Sequence, residues 1–348
     1  MADAPLAVLG ATGYTGRLVL EHARALGLPV RLVGRRREAL EDLARDGEDV
    51  RVADARDAGA LAAAFEGAFA VGSCAGPFLE LGFAPVEAAI EAGAHYLDTS
   101  GEQAWARRVY EDYGPRAAEA GVAVLTCFGF DYVPGDLAAR LAAEGLEPLD
   151  EVVAAYSVSN ASSSAGTRKT IGRVMEQPQA AWQDGRLVES RFGATTRQIR
   201  FPFGERDAVE WSGTEPLTVP RHTEVRNVRS YVRAPKAAAG AGRIAKVVAP
   251  LVRATARLGP EGPSPEERAQ ARFAVVAEAR GPQGGRRVTL AGHDMYGLTG
   301  LLIARGAEAL RHGEARGAGA LAPAEAFEAA ALLERLAPLL ELGSSEPL

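Results

Sequence analysis

The chain has 348 residues, of which 47% are hydrophobic and 24% are charged, an ordinary globular composition with enough length for two domains. Its net charge of −6 argues against a general affinity for nucleic acid. The two cysteines, Cys74 and Cys127, are too few for a disulfide framework or for a thiolate zinc site of ordinary spacing. The sequence therefore predicts no metal centre.

The first residues and the apolar runs bear on the location of the protein. MADAPLAVLG lacks the basic segment and the long apolar segment of a secretion signal. No apolar run reaches the roughly 18 residues that a membrane-spanning helix needs. We therefore expect a cytoplasmic protein without membrane association.

The first 130 residues alternate short apolar runs with longer amphipathic stretches. This alternation is typical of an α/β fold with a doubly wound parallel sheet, the Rossmann architecture. Strands are predicted at 6–10, 29–35, 49–55, 69–78, 94–101 and 121–129, and helices at 16–27, 36–47, 57–67, 85–93 and 103–120.

The pattern changes to a period of two after residue 150, which is typical of half-exposed antiparallel strands. We therefore expect a second α+β domain with an antiparallel sheet, entered through a helix at 136–145 and containing another near 167–176. An apolar helix at 297–313 and a short helical tail are expected to return to the first domain. The predicted domains are 1–145 for dinucleotide binding, 146–292 for substrate binding and dimerisation, and 293–348 for the C-terminal helices.

A basic stretch, 233–258, contains six basic and no acidic residues. Its segment APLVRATARLG is consistent with an amphipathic helix that faces a membrane or a partner, but a solvated helix is the favoured interpretation. Both interpretations remain open.

The motif AVLGATGYTG places Gly10, Gly13 and Gly16 between the first strand and the first helix. This is the context of a dinucleotide-binding turn, in which the first glycine allows the turn, the second admits the pyrophosphate and the third lets the helix pack closely. The helix N-terminus offers free N–H groups to phosphates, and Thr12 and Thr15 add hydroxyl donors. The alternative is a glycine-rich turn without a ligand.

The tip of the second strand indicates which nucleotide binds. An NAD site usually has an acidic residue here, but the strand ends VGRRRE, with Arg35, Arg36 and Arg37 before the first carboxylate. Arginines suit the 2′-phosphate of NADP(H) by charge and by bidentate hydrogen bonding, so NADP(H) is the predicted cofactor. Asp54, which ends the third strand, either bonds the adenine amino group or caps the strand.

The end of the fourth strand is expected to pass close to the nicotinamide ribose. Ala75, Gly76 and Pro77 follow this strand. A Gly-Pro pair suits a close approach of the backbone to a cofactor, and a plain turn is the alternative.

Six segments carry a family resemblance: GATGYTG (10–16), LVGRR (32–36), CAGPF (74–78), HYLDTSGE (95–102), GFDYVPGD (129–136) and GHDMYGLTG (292–300). In this order they resemble the saccharopine dehydrogenase-like oxidoreductases, which bind NADP. Two further segments, GPSPEERAQARF (262–273) and LAPAEAF (321–327), are most similar to the trans-acting enoyl reductase branch of that family.

The resemblance implies a Rossmann domain, a second α+β domain that contacts the substrate and often dimerises, and NADP(H)-dependent hydride transfer. It places Ser100, Gly101 and Glu102 at the nicotinamide end. Saccharopine dehydrogenases have a shorter turn where this chain has GFDYVPGD, which puts a lysine-pathway substrate in doubt. The residues that it assigns to cofactor binding are Gly10, Thr12, Gly13, Tyr14, Thr15, Gly16, Arg35, Gly76 and Pro77.

The catalytic group is less well defined. None of the three lysines follows a tyrosine by four positions, which excludes the Tyr-x-x-x-Lys mechanism. Asp131 and Tyr132 follow the last parallel strand, where ligands of such sheets bind, so they are the candidates for proton transfer. The alternative is that Asp131 caps the next helix and Tyr132 packs between domains.

Three other positions remain open. His293 and Tyr296 either face the same cleft or form a hinge, and Cys74 is a weak candidate for a reactive thiol. The segment SSSAGTRKT (162–170), with Arg168 and Lys169, suits an anionic substrate and equally a flexible loop.

The leading functional hypothesis is an NADPH-dependent reductase that acts on an enoyl or carbonyl group of an acyl or polyketide-type substrate, free or bound to a carrier protein. One alternative is imine or secondary-amine chemistry of the saccharopine type. A second alternative is a non-catalytic NADP-binding regulator. A homodimer is also open.

Overall fold

The computed structural model describes residues 4–164, 178–240 and 261–348. The predicted helix at 167–176, with Arg168 and Lys169, and most of the basic stretch lie outside these residues. The chain separates into two compact units. Unit 1 contains the described residues up to Ser100, Trp105–Phe130 and Tyr296–Leu321; unit 2 contains Gly101–Ala104, the described residues of Asp131–Met295, and Ala322–Leu348.

The strands, numbered in chain order, belong to two separate sheets. They are β1 Leu6–Leu9, β2 Val30–Gly34, β3 Asp49–Val52, β4 Ala70–Ser73, β5 His95–Asp98, β6 Ala123–Leu125, β7 Leu149–Ser159, β8 Gln179–Gln183, β9 Arg186–Ser190, β10 Thr196–Phe201, β11 Gly204–Glu210, β12 Val225–Arg233, β13 Arg272–Gly281, β14 Gly284–His293, β15 Gly319–Ala320 and β16 Leu340–Pro347.

The α-helices are numbered in the same way over the described ranges. They are α1 Tyr14–Ala25, α2 Arg37–Glu41, α3 Ala58–Phe65, α4 Phe78–Leu81, α5 Phe83–Glu91, α6 Gln103–Arg108, α7 Gly114–Glu119, α8 Val133–Ala143, α9 Glu215–Thr218, α10 Pro265–Gln270, α11 Met295–Arg311, α12 Pro323–Ala326 and α13 Ala329–Glu334; a π-helical turn occupies Val109–Tyr113, and 3-10 turns occupy Val219–Arg221 and Lys236–Gly240.

Unit 1 is built on the parallel sheet that the sequence predicts. Its strand order is β15-β6-β5-β4-β1-β2-β3, and every pairing is parallel. β1 lies near the middle, where Leu6, Ala7 and Val8 are fully buried. The apolar run of β1 is therefore covered on both faces, as parallel sheets require. The Rossmann prediction is confirmed.

The helix expected over 103–120 is interrupted. A π-helical turn separates α6 from α7, which has Pro115 in its first turn. Proline cannot donate a backbone hydrogen bond, so the ladder of the preceding helix does not continue regularly through it.

Helix α11 returns to unit 1 and packs very closely. A Cβ atom at Gly300 would lie 2.9 Å from the carbonyl carbon of Leu18, and one at Gly306 would lie 2.8 Å from the Phe128 ring. These glycines therefore allow α11 to approach α1 and the loop after β6. The prediction of an apolar helix that returns to the first domain is confirmed.

Unit 2 contains a mixed sheet, in the order β10-β11-β12-β7-β13-β14-β16, with the β8–β9 hairpin attached to β12. The expectation of an antiparallel sheet needs one correction, because β7 and β12 pair in parallel. The long connection between them, which contains β8 to β11, lets β12 return alongside β7 in the same direction. The other pairings of this sheet are antiparallel.

The compact units change at different residues from the predicted domain boundaries at 145 and 292. Helix α8 is buried along almost its whole length and packs on β7, β13 and β14, so the chain enters unit 2 at Asp131. The expected helical tail contains α12 and α13 but ends in β16, which pairs with β14. Residues 322–348 therefore lie in unit 2.

Within the described ranges, none of the helices combines the length and the apolar character needed to cross a membrane.

Candidate functional site

The glycine turn begins directly after β1. Gly10 has a φ of +82°, a left-handed conformation that glycine adopts without strain. A Cβ atom at this position would lie 3.2 Å from the carbonyl carbon of Cys74, so the turn also passes close to the end of β4. Both observations require a glycine here.

The N-terminus of α1 stands on this turn. Gly13 is the N-cap, and its N–H donates to the Gly10 carbonyl at 2.9 Å. A Cβ atom at Gly16 would lie 2.2 Å from the Gly10 oxygen, so only glycine lets the helix begin so close to the strand. The first turn contains no acidic residue, and Thr12 and Thr15 are partly exposed. The backbone amides and hydroxyls of this turn fit a pyrophosphate.

Tyr14 has an aromatic neighbour that comes from the far end of the sequence. Its ring contacts Tyr296 of α11 edge to face, with 5.3 Å between the ring centroids. One turn further along α11, Thr299 Oγ1 accepts the N–H of Phe130 at 3.1 Å. The start of α11 thus connects the glycine turn to the loop after β6. The assignment of Tyr14 to cofactor binding stays a prediction.

The tip of β2 is basic, as the sequence indicates. Arg35 is 74% exposed, and its Nη1 lies 4.0 Å from Asp54 Oδ2. Arg36 is exposed and forms no ion pair with the residues that the structure describes, whereas Arg37 pairs with Glu41. Two arginine side chains are therefore available to a phosphate group at this strand end.

Asp54 follows the neighbouring strand β3. Its Oδ1 accepts the backbone N–H of Arg56 at 2.9 Å, which is the strand-end role that the sequence left open. Oδ2 faces Arg35. Contact with an adenine group stays a prediction.

The loop Ala75–Pro77 lies beside the glycine turn. The N–H of Cys74 donates to the Leu9 carbonyl at 2.8 Å, and the Gly76–Pro77 peptide is cis. Burial raises the pKa of the Cys74 thiol to about 12, so this thiol is protonated at neutral pH and is a poor nucleophile. The loop is placed next to the predicted cofactor turn, while its contact with a ribose stays a prediction.

Asp98, at the end of β5, organises two loops and was not singled out from the sequence. Its Oδ1 accepts the N–H groups of Ser100 at 3.0 Å and Cys127 at 2.8 Å, and its Oδ2 accepts Trp105 Nε1 at 2.8 Å and Thr126 Oγ1 at 2.9 Å. Burial raises the pKa of Asp98, although these donors oppose the shift. The residue fixes the position of Ser100, which belongs to the predicted nicotinamide end.

Asp131 lies beside Gly101 in unit 2. A Cβ atom at Gly101 would lie 3.2 Å from Asp131 Oδ2. Asp131 is exposed, and the protein atoms near its carboxyl group reduce the hydration of that group and raise its pKa to about 6. It has no hydrogen-bond partner among the described residues, and the N-cap of α8 is Tyr132 instead. These properties suit a group that exchanges a proton near neutral pH.

Tyr132 is buried inside unit 2. It is 2% exposed, its hydroxyl donates to the Ser212 carbonyl at 3.3 Å, and its ring stacks on Trp211 with 6.1 Å between centroids. These are packing contacts within unit 2, whereas the alternative stated above was packing between domains. Its role as a proton donor stays a prediction.

A fully buried carboxyl group also lies near the start of α8, and no sequence signal pointed to it. Glu215 Oε1 accepts the Tyr156 hydroxyl at 2.6 Å, and Oε2 accepts Ser230 Oγ. A Cβ atom at Gly135 would lie 2.1 Å from Glu215 Oε1. Burial raises the pKa of Glu215 to about 7, although the hydrogen bonds from Ser230 and Tyr156 oppose the shift.

Asp136 and His222 form a structural pair. Asp136 is fully buried, and its Oδ1 lies 2.9 Å from His222 Nε2 while its Oδ2 accepts the N–H of Ala324 at 2.8 Å. Burial by itself would raise the pKa of Asp136, but His222 and the hydrogen bonds hold it below its ordinary value. The pair ties α8 to α12 and leaves Asp136 unavailable to a ligand.

The sequence grouped His293 with Tyr296, but the compact units separate them. His293 ends β14 in unit 2, whereas Tyr296 belongs to unit 1.

Comparison with known proteins agrees with this geometry. Residues 10–100 match a sequence-family model described as NAD(P)H-binding. A lipid droplet localized protein of Caenorhabditis elegans is 34% identical over 151 residues, covering 39% of this chain and 35% of that protein. The trans-acting enoyl reductase of Mycobacterium tuberculosis is 30% identical over 205 residues, covering 55% of this chain and 49% of that protein.

A solved structure shows the same fold over nearly the whole chain. Saccharopine dehydrogenase (L-Glu forming) of Saccharomyces cerevisiae has a TM-score of 0.64 at 12% identity, covering 99% of this chain and 100% of that one. The chain spans at most about half the length of the curated relatives named above. It thus contains an NAD(P)H-binding Rossmann domain, has the fold of saccharopine dehydrogenase, and is distantly related to the trans-acting enoyl reductases.

Proposed function

We propose that the protein is an NADPH-dependent oxidoreductase that reduces an enoyl or carbonyl group of an acyl-type substrate. The observation that carries the proposal is that two adjacent parallel strands, β1 and β2, are followed by a glycine turn and by a basic segment. β1 leads into the Gly10–Gly16 turn, and β2 is followed by Arg35 and by Arg36, which forms no ion pair within the described residues. The relationship to enoyl reductases supports the acyl substrate.

The chain's own groups account for cofactor binding. The amides at the start of α1, between Gly13 and Gly16, bind the pyrophosphate, and the hydroxyls of Thr12 and Thr15 add donors. Arg35 and Arg36 bind the 2′-phosphate, which NADH lacks. Bound NADPH supplies the hydride.

Asp131 supplies the proton that a reduced carbonyl or enoyl group needs. With a pKa of about 6, its carboxyl group is partly protonated near neutral pH and can give its proton to substrate oxygen or carbon. Gly101 leaves room beside this carboxyl group because it has no side chain. The hydrogen bonds of Asp98 hold Ser100, the residue before Gly101.

The saccharopine dehydrogenase fold favours a second candidate, reduction of an imine formed from an amine and an oxo acid. The longer GFDYVPGD turn argues against the lysine-pathway substrate itself.

Three further features belong to the proposal: a carrier-bound acyl group as substrate, a homodimer and a cytoplasmic location. The name of the nematode relative places that relative on lipid droplets.

The first experiment measures cofactor affinity. NADPH and NADH are titrated into the full chain and into Arg35→Ala, with cofactor fluorescence as the signal. Arg37→Ala is the matched control, because it removes the same charge two residues further along the chain, from an arginine that is paired with Glu41. We expect a preference for NADPH that weakens about tenfold or more in Arg35→Ala only.

A substrate panel follows with NADPH present. Enoyl and 3-oxoacyl thioesters test the leading proposal, and an oxo acid with an amine tests the second candidate. Oxidation of NADPH in the presence of the thioesters, but not in the presence of the oxo acid and the amine, supports the acyl substrate. Binding without turnover on either panel would contradict both and favour an NADP-binding regulator. Equal affinity for NADPH and NADH would contradict the assigned 2′-phosphate site.

A further inference from the structure

Unit 2 contains a cleft of about 410 Å³ on its sheet, and none of the residues assigned above to cofactor binding or proton transfer lines it. Its lining comes from strands β7, β13, β14 and β16, from the β10–β11 hairpin and from Pro338. This volume lies within the range of small-molecule sites. We call it the unit 2 cleft; the lining residues used below are Ser157, Phe203, Arg272, Ala274, His293 and Glu341.

One wall of the cleft is an exposed aromatic ring. Phe203, at the hairpin tip, is 45% exposed, although phenylalanine is usually buried. Its ring stacks parallel to buried Phe201, with 5.5 Å between the centroids. Phe201 belongs to an apolar cluster with Ala274, which lines the cleft. The cleft therefore has an apolar wall and an apolar floor.

Two arginines stand at this wall without anionic partners. The guanidinium carbons of Arg206 and Arg233 lie 5.3 Å and 5.4 Å from the centre of the Phe203 ring. Neither forms an ion pair within the described part of the chain, whereas Arg229, on the same strand as Arg233, pairs with Glu210 at 3.0 Å. Arg233 Nη1 also donates to Ser157 Oγ at 3.4 Å inside the cleft.

The opposite end of the cleft is also basic. Arg272 lies directly across the β13–β14 ladder from His293. Arg272 Nη1 donates to the carbonyls of Ala269 and Ala271, and no described carboxylate pairs with its guanidinium. The acidic residue among the six named above is Glu341, which is exposed on β16. Unpaired positive charge therefore exceeds negative charge around an apolar floor.

We infer that the unit 2 cleft binds an amphipathic anion, an apolar chain that ends in a carboxylate. The apolar chain of the ligand lies along Phe203 and Ala274, and its carboxylate receives hydrogen bonds from Arg233 or Arg272. This binding site requires no cofactor and goes beyond the proposed reductase activity.

Calorimetry on the full chain without cofactor tests the inference, with decanoate as the probe. Decan-1-ol provides the chain without the charge, and acetate provides the charge without the chain. We expect decanoate to bind, to bind more weakly as salt concentration rises, and to bind at least about tenfold more tightly than either comparison compound.

Two exposed positions supply the test variants. Phe203→Ser removes the aromatic wall, and Arg233→Gln removes the charge of the arginine that donates to Ser157 in the cleft. The matched controls are Leu342→Ser, which changes an apolar side chain of β16 that is 54% exposed, and Arg200→Gln, which removes the same charge from the outer side of β10. Both test variants are expected to weaken decanoate binding about tenfold, while the controls leave it unchanged.

Three results would overturn the inference. One is binding of decan-1-ol as tight as that of decanoate, and another is an equal weakening of decanoate binding in all four variants. The third is a failure of decanoate to bind. Sedimentation then shows whether Phe203→Ser abolishes self-association. That outcome would assign the cleft to a second copy of this chain. Thermal unfolding of each variant shows that it is folded.

Discussion

The hydroxyl of Tyr156 donates to Glu215 Oε1 at 2.6 Å and accepts the backbone N–H of Gly135 at 3.0 Å. This single hydroxyl connects a buried carboxyl group to the first turn of α8. Asp131 lies just before that helix, so the arrangement holds the proposed proton donor in place from the interior of unit 2.

The pKa of Glu215 predicts how stability depends on pH. The group is fully buried, and its pKa is raised from 4.5 to about 7. Below pH 4.5 it is neutral in both states; between about pH 4.5 and 7 only the unfolded chain has released the proton. Stability from this group is therefore present at low pH and is lost, by ~3 kcal/mol, as pH rises through that window.

Glu215→Gln should remove this dependence. Urea unfolding at several pH values is the measurement. The free energy of unfolding of the variant, relative to that of the wild type, should increase as pH rises. Glu278→Gln is the control of opposite sign: burial by itself raises the pKa of Glu278, but Arg287 and Arg280 hold it below its ordinary value. The free energy of unfolding of Glu278→Gln, relative to that of the wild type, should decrease as pH rises. Parallel curves for wild type and Glu215→Gln would contradict the assigned shift.

Tyr156→Phe should destabilise unit 2 more than Tyr231→Phe. The first change removes a partner of both Glu215 and the Gly135 amide, and unpaired buried groups cost about 1–3 kcal/mol. The Tyr231 hydroxyl lies 2.9 Å from Thr195 Oγ1, which keeps a bond to Glu210, so about 1 kcal/mol or less is expected. Chemical unfolding measures both, and equal losses would contradict the role assigned to Tyr156.

Gly16→Ala should abolish NADPH binding. Its Cβ atom would lie 2.2 Å from the Gly10 oxygen, so α1 must move away from the phosphate-binding turn. Gly59→Ala is the control, because its Cβ atom would meet Asp57 Oδ1 at an ordinary 3.5 Å and alanine favours the helix. Fluorescence titration should show binding in the control only. Retained affinity in Gly16→Ala would show that the cofactor lies elsewhere.

Asp131→Asn should lower the reductase rate by about 10²–10⁴-fold and leave NADPH affinity unchanged. In the wild type the rate should fall as pH rises through about 6, because the carboxyl group must carry a proton to donate it. The variant should lack this limb of the pH profile. Asp150→Asn, which changes an exposed carboxylate of β7, should behave as wild type. A profile unchanged in Asp131→Asn would assign the proton to another group.

Features that depend on neighbouring residues were predicted well from the sequence. The strand, turn and helix at Gly10–Gly16 depend on glycine spacing and hydrophobic periodicity within a few residues. The parallel pairing of β7 and β12 was missed, because strand direction depends on where the long connection between them runs. The terminal strand β16 was missed because its sequence, LELGSSEP, has little apolar alternation.

The sequence alone determined the Rossmann sheet, the glycine turn and the basic strand tip, since each arises from residue types at short spacing. Only the tertiary structure decided which carboxyl groups have a raised pKa. Asp98 binds the Cys127 amide, 29 residues away, and Glu215 binds Tyr156, 59 residues away. A pKa follows from burial and from partners brought together by folding, so the proton chemistry of Asp131 and Glu215 could not be deduced from the order of residues.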